Sequence, residues 1–204
     1  MVQNEKAQRA DAVRNRGRLL DAAAAAFAEH GMEVSISQIA ELASVGKATV
    51  FRNFATKEDL VAAIFADRLE ELTTIGTRLL SAPDTGAGLL DFMMAGAEVQ
   101  IRDRSFCQAA AGIAADHPAV QEVHDRLLAV VEALTERAQR QGVVRADVVG
   151  RDVVLLLNGA SQAVAPLADP APELWRRYVG LIFDGFRAEG AYPLPHPPPA
   201  PAAR

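Results

Sequence analysis

Cysteine, aromatic residues and long apolar runs are all scarce in this chain. A single cysteine, Cys107, stands among 204 residues, so no internal disulfide can form and a reducing compartment is expected. On an Ala-rich stretch that residue reads as a small buried apolar group rather than a redox sensor. No apolar run reaches the roughly 20 residues that span a bilayer, and the polar N-terminus has no signal-peptide core. A cytoplasmic protein with no membrane partner is expected. The β-branched alternation of strands is nearly absent, whereas Ala is abundant and 50% of the residues are hydrophobic. An all-α protein follows as the first expectation.

Catalytic patterns are missing as well. There is no Gly-rich loop of the kind that cradles phosphate. None of His30, His117, His124 or His196 has Glu three residues before it, which removes the paired ligands of a di-iron bundle. His117 and His124 could share a helix face, but Pro118 lies between them and no third ligand is evident, so no metal and no cofactor are expected. Gly159-Ala160-Ser161-Gln162-Ala163 half matches a nucleophile elbow, yet it sits inside a helical pattern without the strand-turn-helix context. An enzyme on a helical bundle is the distant alternative.

Positive charge is short overall, and a net charge of −5 by itself argues against a nucleic-acid binder. Its distribution changes that reading. The first 60 residues hold eight Lys or Arg and eight Asp or Glu, so the whole acidic excess lies further on. Arg9, Arg14, Arg16 and Arg18 cluster before the first apolar face, and Lys47, Arg52 and Lys57 follow one another closely. A dimer would double this local charge on one face. A non-specific architectural DNA protein would carry more positive charge and no large apolar C-terminal part.

What is present centres on residues 35–59. Ser35 and Gln38 have the spacing of a capping box, and Ile36, Ile39, Ala40 and Ala43 recur at helical spacing. Val45-Gly46 interrupts the pattern, and Gly46 is the expected turn residue. Val50 and Phe54 then fall on one face of a second short helix, leaving Lys47, Thr49, Arg52 and Asn53 on the other. Thr56 reads as the N-cap of a further helix, with Lys57 in its first turn. Two helices joined by a tight turn, the second polar outside, form the helix-turn-helix arrangement, with the motif at 35–54.

The run Gly46-Lys47-Ala48-Thr49-Val50-Phe51-Arg52-Asn53-Phe54-Ala55-Thr56-Lys57-Glu58-Asp59-Leu60, preceded by Ile39-Ala40-Glu41-Leu42-Ala43-Ser44-Val45, resembles the DNA-binding domain of the TetR family of bacterial transcriptional regulators. Phe51 departs from the tyrosine usual in that family and Asn53 from its frequent histidine, so one phosphate bond is lost and an altered operator preference is expected. The resemblance implies DNA contacts from Arg16, Arg18, Ser35, Ser37, Lys47, Ala48, Thr49, Phe51, Arg52, Asn53 and Lys57. Lys57, Arg16 and Arg18 are expected on phosphates, and Thr49, Arg52 and Asn53 on base edges.

The rest of the chain is expected to divide into a flexible basic arm at 1–11, the DNA-binding domain at 12–60, a helical domain at 61–190 and a Pro-rich disordered tail at 191–204. Leu19, Leu20, Ala23, Ala24 and Phe27 form one face of the first helix, which Gly31 ends. Pro118 opens a long helix that Gly142 stops, and Val153 to Val164 is apolar nearly all round. By the resemblance, the C-terminal domain binds a small, partly apolar effector and pairs two copies. Phe65, Leu69, Phe92, Met93, Phe106, Gln108, His124, Leu128, Asn158 and Gln162 are the expected pocket. Leu156, Trp175, Tyr178, Val179, Ile182, Phe183 and Phe186 are the expected homodimer interface, the alternative being that Trp175 and Phe186 fill the protomer core. The expected function is a ligand-responsive regulator: a repressor released from a palindromic operator, with an activator or a ligand-independent regulator as alternatives.

Overall fold

A computed structural model describes residues 2–103, 106, 117–167 and 170–198, with side chains from Asn15 onward. Among the described residues every regular element is helical. In chain order these are α1 (Val2–His30), α2 (Ile36–Leu42), α3 (Lys47–Asn53), α4 (Lys57–Leu79), α5 (Thr85–Arg102), α6 (Pro118–Arg140), α7 (Gly150–Val164) and α8 (Leu174–Phe186), with a short 3-10 turn at Ala165–Leu167. The stretch 2–11, expected as a flexible arm, is the first part of α1. The tail at 191–198 has no regular structure, in line with its prolines, and 199–204 lies outside the described residues.

The chain forms two compact units. One comprises residues 1–67 and 103–121, the other 68–102 and 122–204. Helix α4 contributes its first half to one and its second half to the other.

In the first unit α1 packs on α2, and α2 on α3. Leu19, Leu20, Ala23 and Phe27 of α1 are buried together with Ile39, Val50, Phe54, Leu60 and Ile64. The i, i+4 spacing that joins Leu19, Ala23 and Phe27 also joins Val50 to Phe54, so each helix turns one stripe inward. Phe106 adds a ring against Phe27 at 6.0 Å and against Phe65 at 5.1 Å, and is itself buried. The rings are tilted by 34° and 39°, and aromatic pairs at such distances contribute about 1 kcal/mol beyond their buried area. Gly31 ends α1 at φ 72°, as expected of a left-handed C-terminal residue.

In the second unit α5 packs on α7 and α8, and α7 on α8. Leu89, Phe92, Met93, Val131, Leu134, Val153, Leu157, Trp175, Val179 and Phe186 make its core. Helix α7 approaches α6 very closely at Gly150, whose amide donates to the Glu132 carboxylate at 2.8 Å. A Cβ there would lie 2.7 Å from the Glu132 nitrogen, which only glycine avoids. Arg137 of α6 donates to the Leu80 carbonyl and, at 3.0 Å, to that of Ala82, satisfying carbonyls of the turn that follows α4. The Gln139 amide donates to the carbonyls of Arg145 and Val148 at 3.0 and 2.6 Å, fixing the loop that follows Gly142. None of these connections carries a sequence signature.

Candidate nucleic-acid interface

The first short helix starts where the Ser35 side chain can cap it. The Ser35 hydroxyl oxygen accepts from the Gln38 amide at 3.2 Å, and the Gln38 side-chain oxygen accepts from the Ser35 amide at 2.9 Å. Two orphan backbone donors are thus satisfied reciprocally. The helix stops in a Schellman turn, in which the Ser44 amide donates to the Glu41 carbonyl and the Val45 amide to that of Ala40, both at 3.0 Å. The left-handed residue of that turn is Ser44, at φ 54°. This corrects the expectation placed on Gly46, which has φ −65° and serves as the N-cap of α3. The turn needs its positive φ at the second position after Leu42, and Gly46 comes two residues too late to supply it.

Helix α3 buries Val50, its C-cap residue Phe54 is buried as well, and Lys47, Ala48, Thr49, Phe51, Arg52 and Asn53 are exposed. The outer face therefore carries the residues expected to read DNA. Its polar side chains are held on their own helix. Arg52 Nε donates to the Ala48 carbonyl at 3.0 Å and its Nη2 to the Thr49 hydroxyl at 3.3 Å, while Asn53 Nδ2 donates to the Thr49 carbonyl at 2.7 Å. Lys47 lies 3.5 Å from Glu41, an exposed pair that contributes little to stability. Ser35 is exposed and Ser37 half-buried on α2.

A cavity of about 480 Å³ opens between α1 and the turn. Asn15, Arg16, Arg18 and Leu19 line one side, and Ala43 to Gly46, Thr49, Asn53 and Phe54 the other. The Arg16 guanidinium stands 5.4 Å over the Phe54 ring, which holds a cation at the edge of this cleft. The expected partners from α1 and α3 thus share one cationic, hydrogen-bonding hollow.

Helix α4 begins beside it in a second reciprocal cap. The Thr56 oxygen accepts from the Asp59 amide and an Asp59 oxygen from the Thr56 amide, each at 3.0 Å. His117 Nε2 lies 3.4 Å from the other Asp59 oxygen. The Thr56 hydroxyl and amide, with His117, hold the Asp59 carboxyl below its ordinary range. Lys57, in the first turn, donates its ammonium to the Met32 carbonyl and so ties α4 to the loop before α2.

The remaining expected site residues are distributed by helix face. Phe65 and Phe106, expected in an effector pocket, are in the aromatic cluster of the first unit, where the Phe106 ring packs against both Phe65 and Phe27. Phe92 and Met93 are buried in the second unit, and Leu69, His124 and Leu128 half-buried there. Asn158 and Gln162 are exposed on α7, on the face opposite Val153 and Leu157, so neither is a polar group enclosed by the protomer. Gln108 lies outside the described residues, as does Cys107.

Trp175, Val179 and Phe186, expected at a subunit interface, are buried within the protomer, Trp175 at 6% exposure. Their i, i+4, i+11 spacing turns them toward α5 and α7, and the interface expectation is corrected for all three. Ile182 and Phe183 pack partly against the same core. Leu156 and Tyr178 remain exposed, and they are joined by Leu155 and Leu181, which sequence reasoning missed. The nearly all-apolar pattern of 153–164 concealed which of its leucines face outward.

Comparison with known proteins agrees with this geometry. Residues 19–64 match the family described as bacterial regulatory proteins, tetR family, and residues 84–188 match the SbtR-like transcriptional regulator C-terminal domain. The chain is 33% identical to a TetR regulatory protein from Mycobacterium vanbaalenii, with TM-score 0.65, over 88% of this chain and 99% of that one. For the TetR regulator SCO0520 of Streptomyces coelicolor the TM-score is 0.69 and the identity 23%, over 86% and 99%. For PfmR of Thermus thermophilus the values are 0.63 and 27%, over 82% and 98%. No curated protein sequence matches.

Proposed function

The chain belongs to the TetR family of DNA-binding transcriptional regulators, which are not enzymes, and from that premise we propose a homodimeric repressor released from a palindromic operator by a small molecule. The observation that carries the reading is the outer face of α3, where Thr49, Arg52 and Asn53 stand exposed on a helix anchored by Val50 and Phe54. Arg and Asn are the side chains suited to guanine and adenine edges in the major groove. Arg16 and Arg18, on the α1 side of the cleft, hold backbone phosphate and set register. Ser35 and Ser37 at the start of α2, with Lys47 and Lys57, add contacts around the same groove.

Two copies pair through the exposed faces of α7 and α8, where Leu155, Leu156, Tyr178 and Leu181 form an apolar surface that the protomer leaves uncovered. Gly159 and Gly185 leave open space on these helices and permit close approach. The recognition helices of the dimer enter successive major grooves, about 34 to 36 Å apart or somewhat more. A partly apolar effector in the second unit, near Phe92, Met93, Leu69 and Leu128, biases the dimer away from the DNA-binding spacing. A differential affinity of about 1 to 3 kcal/mol is enough for a modest response. The regulator works in the cytoplasm, and among the described residues no helix is long and apolar enough to cross a membrane.

Selection of bound fragments from a random DNA pool tests the reading. An enriched palindrome supports it. Absence of enrichment at low salt overturns it.

A further inference from the structure

In the first unit, Leu42 and Phe51 are the large apolar side chains left exposed among the described residues. Phe51 is the more telling, because it lies in the middle of α3 and is 53% exposed. Its neighbours in the helix divide cleanly. Val50 and Phe54 are buried, and Thr49, Arg52 and Asn53 are exposed with hydrogen-bonding groups. Arg52 and Asn53 fold back on Ala48 and Thr49, and the Arg16 guanidinium stacks on Phe54. The Phe51 ring is not among the buried core residues, and it carries no donor or acceptor with which to hold a phosphate.

A ring so placed is suited to an apolar feature of the surface that α3 reads. The major groove offers one at the base edges, the C5-methyl group of thymine. We propose that Phe51 is a specificity-determining residue that packs on the C5-methyl of one thymine in each half-site; this rests on the DNA-reading role of α3 argued above. Arg52 and Asn53 then read hydrogen-bonding edges while Phe51 reads a methyl.

Deoxyuridine in place of thymidine removes that methyl and keeps the base pair. In the palindrome enriched from the random pool, each thymine is replaced in turn, symmetrically in both halves, and the full-length protein is titrated by fluorescence anisotropy. One position is expected at which wild-type affinity falls by about fourfold for each methyl removed, the value of one buried carbon. At that position Phe51→Ala should be insensitive to the replacement and Phe51→Tyr, which keeps the ring, should remain sensitive. Equal losses for wild type and Phe51→Ala, or no sensitive position, overturn the inference and leave DNA reading by α3 intact. Failure to enrich any palindrome overturns both.

Discussion

The two units are specified by different kinds of information. In the first, two helices, α2 and α3, have only seven residues, and helix ends are written in local residues: Ser35 with Gln38 at α2, Thr56 with Asp59 at α4, and Gly31 after α1. Helices of seven residues are too short to persist alone, so each depends on its caps and on one or two buried anchors such as Ile39 and Val50. The second unit has no α-helix as short as seven residues among the described residues, and its order comes from packing. Helix α7 shows this most clearly, because Val153 and Leu157 face the core while Leu155 and Leu156 face outward. The same residue type performs two functions there, separated only by helical phase.

The largest effect should come from crossing that phase boundary. Leu157→Ala removes a side chain that is 3% exposed and should destabilise the protein by about 3 kcal/mol in urea unfolding. A loss well below about 1 kcal/mol would mean that the inner face of α7 is not packed as described. The outer face should respond differently. Leu156→Asp combined with Leu181→Asp should leave the fold unchanged by circular dichroism but weaken dimerisation by about 2 kcal/mol or more, roughly thirtyfold, in sedimentation equilibrium. An unchanged dissociation constant would place the pairing surface elsewhere.

In the first unit the corresponding changes are smaller and local. Ser44 occupies a left-handed conformation that glycine adopts without steric cost, so Ser44→Gly should stabilise the protein by about 0.5 to 1 kcal/mol. Gly46→Ser should be tolerated or slightly stabilising, because Gly46 is an N-cap with negative φ. Opposite signs, measured as shifts in the thermal midpoint, would return the turn to Gly46.

The smallest effect concerns the cap of α4. The Thr56 groups and His117 favour the ionised form of Asp59, lowering its pKa from the ordinary 3.8. A depressed carboxylate contributes its full stabilisation above the unfolded value and loses it as pH falls through the folded one. Wild type should therefore lose stability more steeply than Asp59→Asn below about pH 4. Parallel curves would show that the cap is not formed in solution.

These contrasts also show what could be read before the structure. The helix-turn-helix was legible because the caps at Ser35 and Thr56 and the glycine after α1 act within a few residues of themselves, and Pro118 and Gly142 marked the ends of α6 in the same way. Ser44 was not legible, since a serine in left-handed conformation has no spacing of its own and the nearby Gly46 offered a simpler signal. The outward leucines of α7 and the inward turn of Trp175 were hidden for another reason. Leu155, Leu156 and Leu157 are consecutive, so residue type alone does not orient α7, and Trp175 of α8 turns inward where α5 and α7 pack; in both helices the neighbours decide which side is covered. The tertiary bonds of Arg137 and Gln139 to loop carbonyls join residues with no shared pattern at all.

The central claim is that α3 reads base sequence while the cleft beside α1 holds backbone. Its most direct test is the affinity of Arg52→Ala and Asn53→Ala for the selected operator and for a scrambled duplex of the same length at one salt concentration. Each should lose about 1 to 3 kcal/mol on the operator and keep its weak binding to the scrambled duplex. Equal losses on both duplexes would reduce these residues to phosphate contacts and contradict the account.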